Sequence, residues 1–360
     1  MKKIGFLSFN HWSDHRGSRV RSAKESLLQS IELAQAAEDI GIDGAFFRVH
    51  HFADQQSTPF PLMSAIAATT SRIQVGTAVI DMRYENPLAL AEDAAATDLI
   101  SGGRLQLGLS RGSPQHADRG FEVFGNIPTT TDAAMASEKT DRFLAAISGA
   151  GVATANPQRY GPDAPLLAIT PVSDTLATRI WWGAGSRATA ETAAAKGLNL
   201  MSSTLMTEDT GVPFEQLQRE QIDLFRASWA RAGWAYRPSV SVSRDMLPIV
   251  DAETAALFGA HAGPGGSDQV GLIEGVAARF GRQHVDTPDR LAQALGADVA
   301  VDAADWVLLT IPNQLGVDLN IRILAALHDI GAELGWHEDA LTTDRVGRVR
   351  APRPGVRLAS

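Results

Sequence analysis

The sequence predicts an α/β protein of the (β/α)8 TIM-barrel class, with insertions after strands four and seven. Three observations predict it. Short apolar runs alternate with segments of helical periodicity, eight such runs can be counted, and small or polar residues gather where the runs end. Eight alternating units suit a closed barrel better than an open doubly wound sheet.

The elements follow in order. Residues 4–9 read as the first strand, after which Leu27, Ile31, Ala34, Ala37 and Ile40 recur at helical spacing until Gly41. Residues 44–49 form a buried strand, 61–70 a helix opened by proline, and 73–80 a third strand. A helix over 87–100 follows, with Asn86 as its N-cap and Gly102-Gly103 as its stop, and 104–109 is the fourth strand. A Pro- and Gly-containing excursion at about 149–173 precedes strand 179–183 and the helix 187–196, which Gly197 ends. Strand 198–202, an amphipathic helix over 214–232, strand 240–250 broken near Pro248, strand 306–311 and helix 317–334 complete the count. One domain spans residues 1–360. Residues 259–285, with the patch Gly263-Pro264-Gly265-Gly266, read equally well as a mobile lid and as an ordered surface insertion.

With 360 residues, 44% hydrophobic and 20% charged, the composition is that of a globular protein. A net charge of −9 argues against a nucleic-acid or anionic-membrane partner, both of which call for clustered Lys and Arg. No run reaches the ~18 apolar residues of a spanning helix. Having no cysteine, the chain has no disulfides, zinc-thiolate sites or thiol nucleophiles. The expectation is a cytoplasmic enzyme.

In a barrel the functional side chains sit at the C-terminal strand ends. Strand two offers His50 and His51. Adjacent residues of an extended segment point to opposite sides, so the pair does not chelate a metal; one faces the mouth as a proton donor or acceptor and the other packs in the wall. Strand three ends with Gly76-Thr77-Ala78, whose small residues either let a flat ring lie on the backbone or simply serve barrel packing. Strand four ends with Ser110-Arg111-Gly112-Ser113. Strand five runs through Gly183-Ala184-Gly185-Ser186 into a helix, a turn that presents N–H groups and a positive dipole end to a phosphate, unless Ser186 only caps its helix. Arg111 on the neighbouring strand adds a charge-assisted bond to the same anion. Trp181, Trp182, Trp229 and Trp306 read as core or wall.

The segments 36–52, 70–79 (TSRIQVGTAV), Asn86-Pro87 with Ala91-Glu92-Asp93, 98–112 (DLISGGRLQLGLSRG), 121–125 (FEVFG), 185–202 and Gly335-Trp336 occur in the order seen in one family. The chain resembles the bacterial luciferase-like flavin-dependent monooxygenases. That resemblance implies a barrel holding reduced FMN at the C-terminal strand ends, activating O2 as a flavin C4a-hydroperoxide and oxidising a small organic substrate. It implies that Arg111 and Ser113 (by its backbone), with Ser186 and Thr189, contact the FMN phosphate. Thr77-Ala78 would form a non-proline cis peptide beneath the isoalloxazine, and His50 would be the catalytic histidine. Gly185 replaces a glutamate of luciferase, leaving only a backbone contact there, and Ser110 replaces its reactive cysteine near the flavin. No dinucleotide fingerprint follows a strand, so a separate flavin reductase supplying FMNH2 is expected. A homodimer through the helices after strands two and three is implied as well. Two alternatives stand beside this one: deazaflavin-dependent hydride transfer on the same fold, and flavin binding without turnover.

Overall fold

The computed structural model describes residues 1–112, 117–208, 211–263, 268–273 and 276–337. Eight parallel strands close into a barrel: β1 (Lys3–Ser8), β2 (Gly44–Phe47), β3 (Gln74–Thr77), β4 (Leu105–Ser110), β5 (Ile180–Ala184), β6 (Asn199–Ser202), β7 (Val240–Pro248) and β8 (Trp306–Thr310). Neighbours pair in chain order. The ring shuts where β8 meets β1, with Lys3 opposite Trp306, and β6 meets β7 with Leu200 opposite Val240. The predicted fold class is therefore the observed one.

Eight helices of nine or more residues surround the described barrel: α1 (Ala23–Asp39), α2 (Pro59–Thr69), α3 (Pro87–Ser101), α4 (Asp132–Ile147), α5 (Arg187–Ala195), α6 (Phe214–Ala232), α7 (Pro288–Ala297) and α8 (Val317–Glu333). Asn86 caps α3, accepting from the N–H groups of Leu88 and Ala89, and Gly102 closes that helix in the left-handed conformation. The sequence reading omits α4 and α7, although both carry start signals. Thr131 accepts from the Ala134 N–H at 3.1 Å, with Ala136, Thr140, Phe143 and Ile147 on the buried side. Pro288 opens α7, and Leu291 and Leu295 anchor it. No helix among the described residues is long and apolar enough to cross a membrane.

Strand parity divides the core into two layers. Outward residues such as Phe6, Phe47, Val49, Leu107, Leu109, Trp182 and Val307 pack under the helices in the larger cluster. Inward residues Leu7, Phe46, Trp181, Met201, Trp306 and Leu308 fill the barrel, with Phe9, Ala78 and Val79 packed against them. Close approach demands glycine at two inward positions. A Cβ on Gly76 would lie 2.4 Å from the Gln106 carbonyl oxygen and 2.7 Å from the Phe46 ring, and one on Gly108 would lie 2.2 Å from the Thr77 carbonyl oxygen. Gly76 thus serves barrel packing, the blander of the two readings of that turn.

The third strand is shorter than expected, ending at Thr77, and Ile80–Asp81 pairs separately with β4. The non-proline cis peptide joins Ala78 to Val79, one bond beyond the expected Thr77-Ala78 position. The Ala78 N–H still donates to the Phe47 carbonyl at 2.8 Å, and the Thr77 hydroxyl is tied to Gly108. The Thr77–Ala78 bond therefore belongs to the extended ladder, and the chain leaves it only afterwards.

The excursion after strand four contains an exposed hairpin of Ala153–Thr154 with Leu166–Leu167. In the insertion after β7, Gln269–Ile273 and Val276–Phe280 pair antiparallel and join Leu205–Met206 in a three-stranded sheet, while Gln283–Asp286 runs beside β7. Part of the Gly263–Gly266 patch lies outside the described residues.

Candidate active site

All eight strands run the same way, so their C-terminal ends form one mouth. β2 ends at Phe47, whose neighbour Phe46 faces inward; the Arg48 N–H continues the ladder by donating to Ser8, and His50 follows at the mouth end of the strand, its N–H donating to the Gln56 carbonyl at 2.8 Å. The guanidinium of Arg48 lies 4.7 Å from the centre of the Phe9 ring, which places it on the inner side independently of parity. His51 goes to the wall, as one of the two histidines was expected to. Its ring stacks on Tyr84 at 4.3 Å and meets Phe124 edge-on, and burial pulls its pKa down.

The end of β4 is held from beneath. Arg83 forks onto Asp81 at 2.8–3.1 Å and reaches Asp132 at the start of α4 at 3.0 Å. Gly112 sits on this pair with φ of +104°, and a Cβ there would lie 2.4 Å from Arg83 Nε. Its N–H donates to the Ser110 hydroxyl at 3.0 Å. Ser110 points inward by parity with Gln106 and Gly108, whereas Arg111 is exposed on the rim. Leu109 of β4 faces Trp182 of β5, so Arg111 and the Gly185–Ser186 turn follow neighbouring strand ends, and Arg111 also lies near enough to Asp132 of α4 to help lower its pKa. Ser113 lies outside the described residues.

The β5–α5 turn is built as a cap. Ser186 Oγ accepts from the Thr189 N–H at 3.2 Å and Thr189 Oγ1 accepts from the Ser186 N–H at 3.1 Å. From behind, Gln221 Nε2 donates to the carbonyls of Ala184 and Ser186, and Gln221 is in turn linked through Ser202 and Gln218 to Arg244, which pairs with Asp298. The expectation of free N–H groups on this turn needs correction. Glu208 accepts from the Arg187 N–H at 3.2 Å and binds the Arg187 side chain at 2.8 Å, so a carboxylate already stands at the positive end of α5. Glu208 arrives here because the Thr207 N–H donates to the Gly185 carbonyl at 2.8 Å.

Sequence reasoning missed Arg48, Glu208 and a third group, Asp245. Asp245 shares the inward parity of Ser241 and Ser243 on β7, accepts from Gln283 at 2.8 Å, and is pushed to a higher pKa by burial. Alternation along 44–50 was the available signal for Arg48. No local pattern marks Glu208, because its place depends on a tertiary contact. Among the described residues no group of three or more His, Asp or Glu is arranged to hold a metal.

The model of the luciferase-like monooxygenase family matches residues 1–257. The chain belongs to that family. Among curated relatives, this luciferase-like chain is 32% identical over 104 residues to the alkanal monooxygenase alpha chain of the Kryptophanaron alfredi symbiont, 28% of each chain. It is 32% identical over 100 residues to the oxygenase component of the flavin-dependent trigonelline monooxygenase of Acinetobacter baylyi, 27% of this chain and 28% of the relative. These matches span less than a third of either relative's length. Solved structures agree in fold over nearly the whole barrel. A monooxygenase from Streptomyces bottropensis superposes with a TM-score of 0.64 at 19% identity, over 90% of this chain and 97% of the other. The oxygenating constituent of 3,6-diketocamphane monooxygenase from Pseudomonas putida, in complex with FMN, gives 0.63 at 13% over 91% and 97%. A coenzyme F420-dependent tetrahydromethanopterin reductase from Methanopyrus kandleri gives 0.58 at 14% over 89% and 98%.

Proposed function

We propose that this luciferase-like protein is an FMN-dependent monooxygenase that uses reduced flavin and O2 to oxidise a small organic substrate. The observation that carries the reading is that the neighbouring strands β4 and β5 lead, at the same end of the barrel, into the exposed Arg111 and the Ser186–Thr189 cap, with the inward apolar residues Phe9, Ala78 and Val79 packed in the barrel. A cation, two hydroxyls and a helix N-terminus suit a phosphate monoester, and the apolar surface of Phe9, Ala78 and Val79 suits a flat ring. Arg111, Ser186 and Thr189 would hold the phosphate, Ser110 would line the ring's inner edge, and Gly185 would contribute backbone only. Reduced flavin, when bound, supplies the electrons that activate dioxygen. His50 gives or takes a proton at the mouth, and the apolar surface keeps water from the reacting region.

A separate reductase supplying the reduced flavin fits the absence of a dinucleotide fingerprint in the sequence, and one relative bears the name of an oxygenase component. The sheet of Leu205–Met206 with Val276–Phe280 and Gln269–Ile273 would act as a lid, being tied through Thr207 to the phosphate turn. A homodimer through α2 and α3 would cover Leu99 and Ile100, which are about half exposed at 54% and 53%. Sedimentation at twice the 38.3 kDa chain mass tests that assembly.

Glu208 gives the phosphate site a testable sign. Its carboxylate and the phosphate compete for the same helix end, so Glu208→Gln is expected to tighten FMN binding several-fold. Flavin fluorescence titration measures it, and weaker binding by the variant would show that Glu208 supports the site. Affinity for FMN against the deazaflavin coenzyme tests the reading as a whole.

A further inference from the structure

Most buried and half-buried arginines among the described residues have acceptors, Arg282 aside. Arg244 forks onto Asp298 at 2.7 and 2.9 Å, Arg83 onto Asp81, and Arg179 onto Asp98, while Arg104 binds the carbonyls of Ala67, Thr70, Ser101 and Ile73. Arg48 breaks the pattern. It projects from β2 into the barrel mouth, packs on the Phe9 ring, and has no hydrogen-bond acceptor or carboxylate for its side chain among the described residues. Asp245, the inward carboxylate of β7, stands across two intervening strands and is bonded to Gln283. Burial lowers the Arg48 pKa with no acidic neighbour opposing it.

A guanidinium held partly out of water without a counter-anion carries a desolvation cost, and such a site is stabilised when a ligand brings the anion. We infer that Arg48 docks a carboxylate of the organic substrate, so that the substrate class is small organic acids carrying an apolar or aromatic body. Three features give the direction of docking. Arg48 presents a planar fork that matches a carboxylate. Phe9, stacked in turn on His11 at 5.6 Å, offers an aromatic face beside it. His50 follows two residues later, past the end of β2 and on the mouth side of it. The phosphate corner is on β4 and β5, with β3 between it and β2, so Arg48 is separate from the proposed FMN phosphate site.

This inference rests on the monooxygenase reading for what happens to the acid after it binds, but its test does not. Isothermal titration of the full chain with benzoate, acetate and the neutral isostere benzamide, and separately with FMN, should be run on the wild type, Arg48→Gln and Arg48→Lys. The expected result is benzoate binding at least tenfold tighter than benzamide in the wild type. Arg48→Gln should abolish that preference and leave FMN affinity within about twofold, while Arg48→Lys keeps part of the preference. Loss of FMN binding in Arg48→Gln with the carboxylate preference intact would overturn the inference and assign Arg48 to the flavin. Absence of saturable carboxylate binding, or equal binding of benzoate and benzamide by the wild type, would overturn it outright. A wild type that prefers benzoate but binds no FMN would sink the flavin reading and leave the anion site standing.

Discussion

His50→Ala is expected to lower substrate-dependent oxygen uptake with reduced FMN by roughly 10²–10⁴-fold, the usual share of a positioned general acid or base. That corresponds to about 2.7–5.5 kcal/mol of barrier. His50 follows β2 at its mouth end, whereas His51 is taken up by the aromatic wall of Tyr84 and Phe124. FMN affinity should be nearly unchanged, since the phosphate corner is built on β4 and β5. A limb of the pH–rate profile in the imidazole range should vanish with the side chain. Turnover retained at the wild-type level would remove His50 from the mechanism. The paired control is His51→Ala, which should lose wall packing and retain the pH limb.

The largest stability effect is expected at the opposite end of the barrel. Asp98 on α3 is fully buried, and its carboxylate accepts from Arg179 at 2.7 and 2.9 Å, from the Ser173 hydroxyl at 2.5 Å and from the Leu105 N–H at 3.2 Å. It ties α3, the start of β4 and the segment leading into β5 to one point. Removing it strands a mostly buried guanidinium and two further donors. Asp98→Ala should therefore cost about 3–5 kcal/mol, the range for breaking a buried ion pair from one side. Urea unfolding measures this as a lower midpoint at unchanged slope. A loss below about 1 kcal/mol would mean that the neighbouring donors find other acceptors.

How much the sequence discloses can be judged from these same residues. The alternation of strands and helices was legible because outward positions such as Leu105, Leu107 and Leu109 are apolar at period two, and because glycines and caps punctuate each unit. Asn86 and Gly102 do what their residue types suggest. The helices α4 and α7 were overlooked because each sits inside an insertion rich in polar residues, where a weak apolar stripe competes with loop composition. At the site, the strand ends at His50, Ser110, Arg111 and Ser186 were legible because barrel topology brings all C-terminal ends together. The cis peptide lies one bond beyond the position that the resemblance implied, the Ala78 N–H still being held by the Phe47 carbonyl. Glu208 was invisible for a different reason. It comes near Arg187 only through the hydrogen bond from Thr207 to Gly185, between residues 22 apart, and no local period encodes such a contact.

Arg48 stands between these cases. The alternation that makes Phe46 inward points Arg48 the same way, but a charged residue at a strand end reads as solvent-facing unless the barrel is already drawn. Its meaning emerges only when the other arginines are seen with their acceptors.

The central claim is that the barrel mouth holds FMN by the corner between β4 and β5. Anaerobic equilibrium titration with reduced FMN and with the reduced deazaflavin coenzyme, on the wild type and Arg111→Ala, tests it most directly. Saturable FMN binding at least tenfold tighter than the deazaflavin is predicted, weakened in the variant by about 1.5–3 kcal/mol through loss of a charge-assisted phosphate contact. Tighter binding of the deazaflavin, or an FMN affinity indifferent to Arg111→Ala, would contradict it.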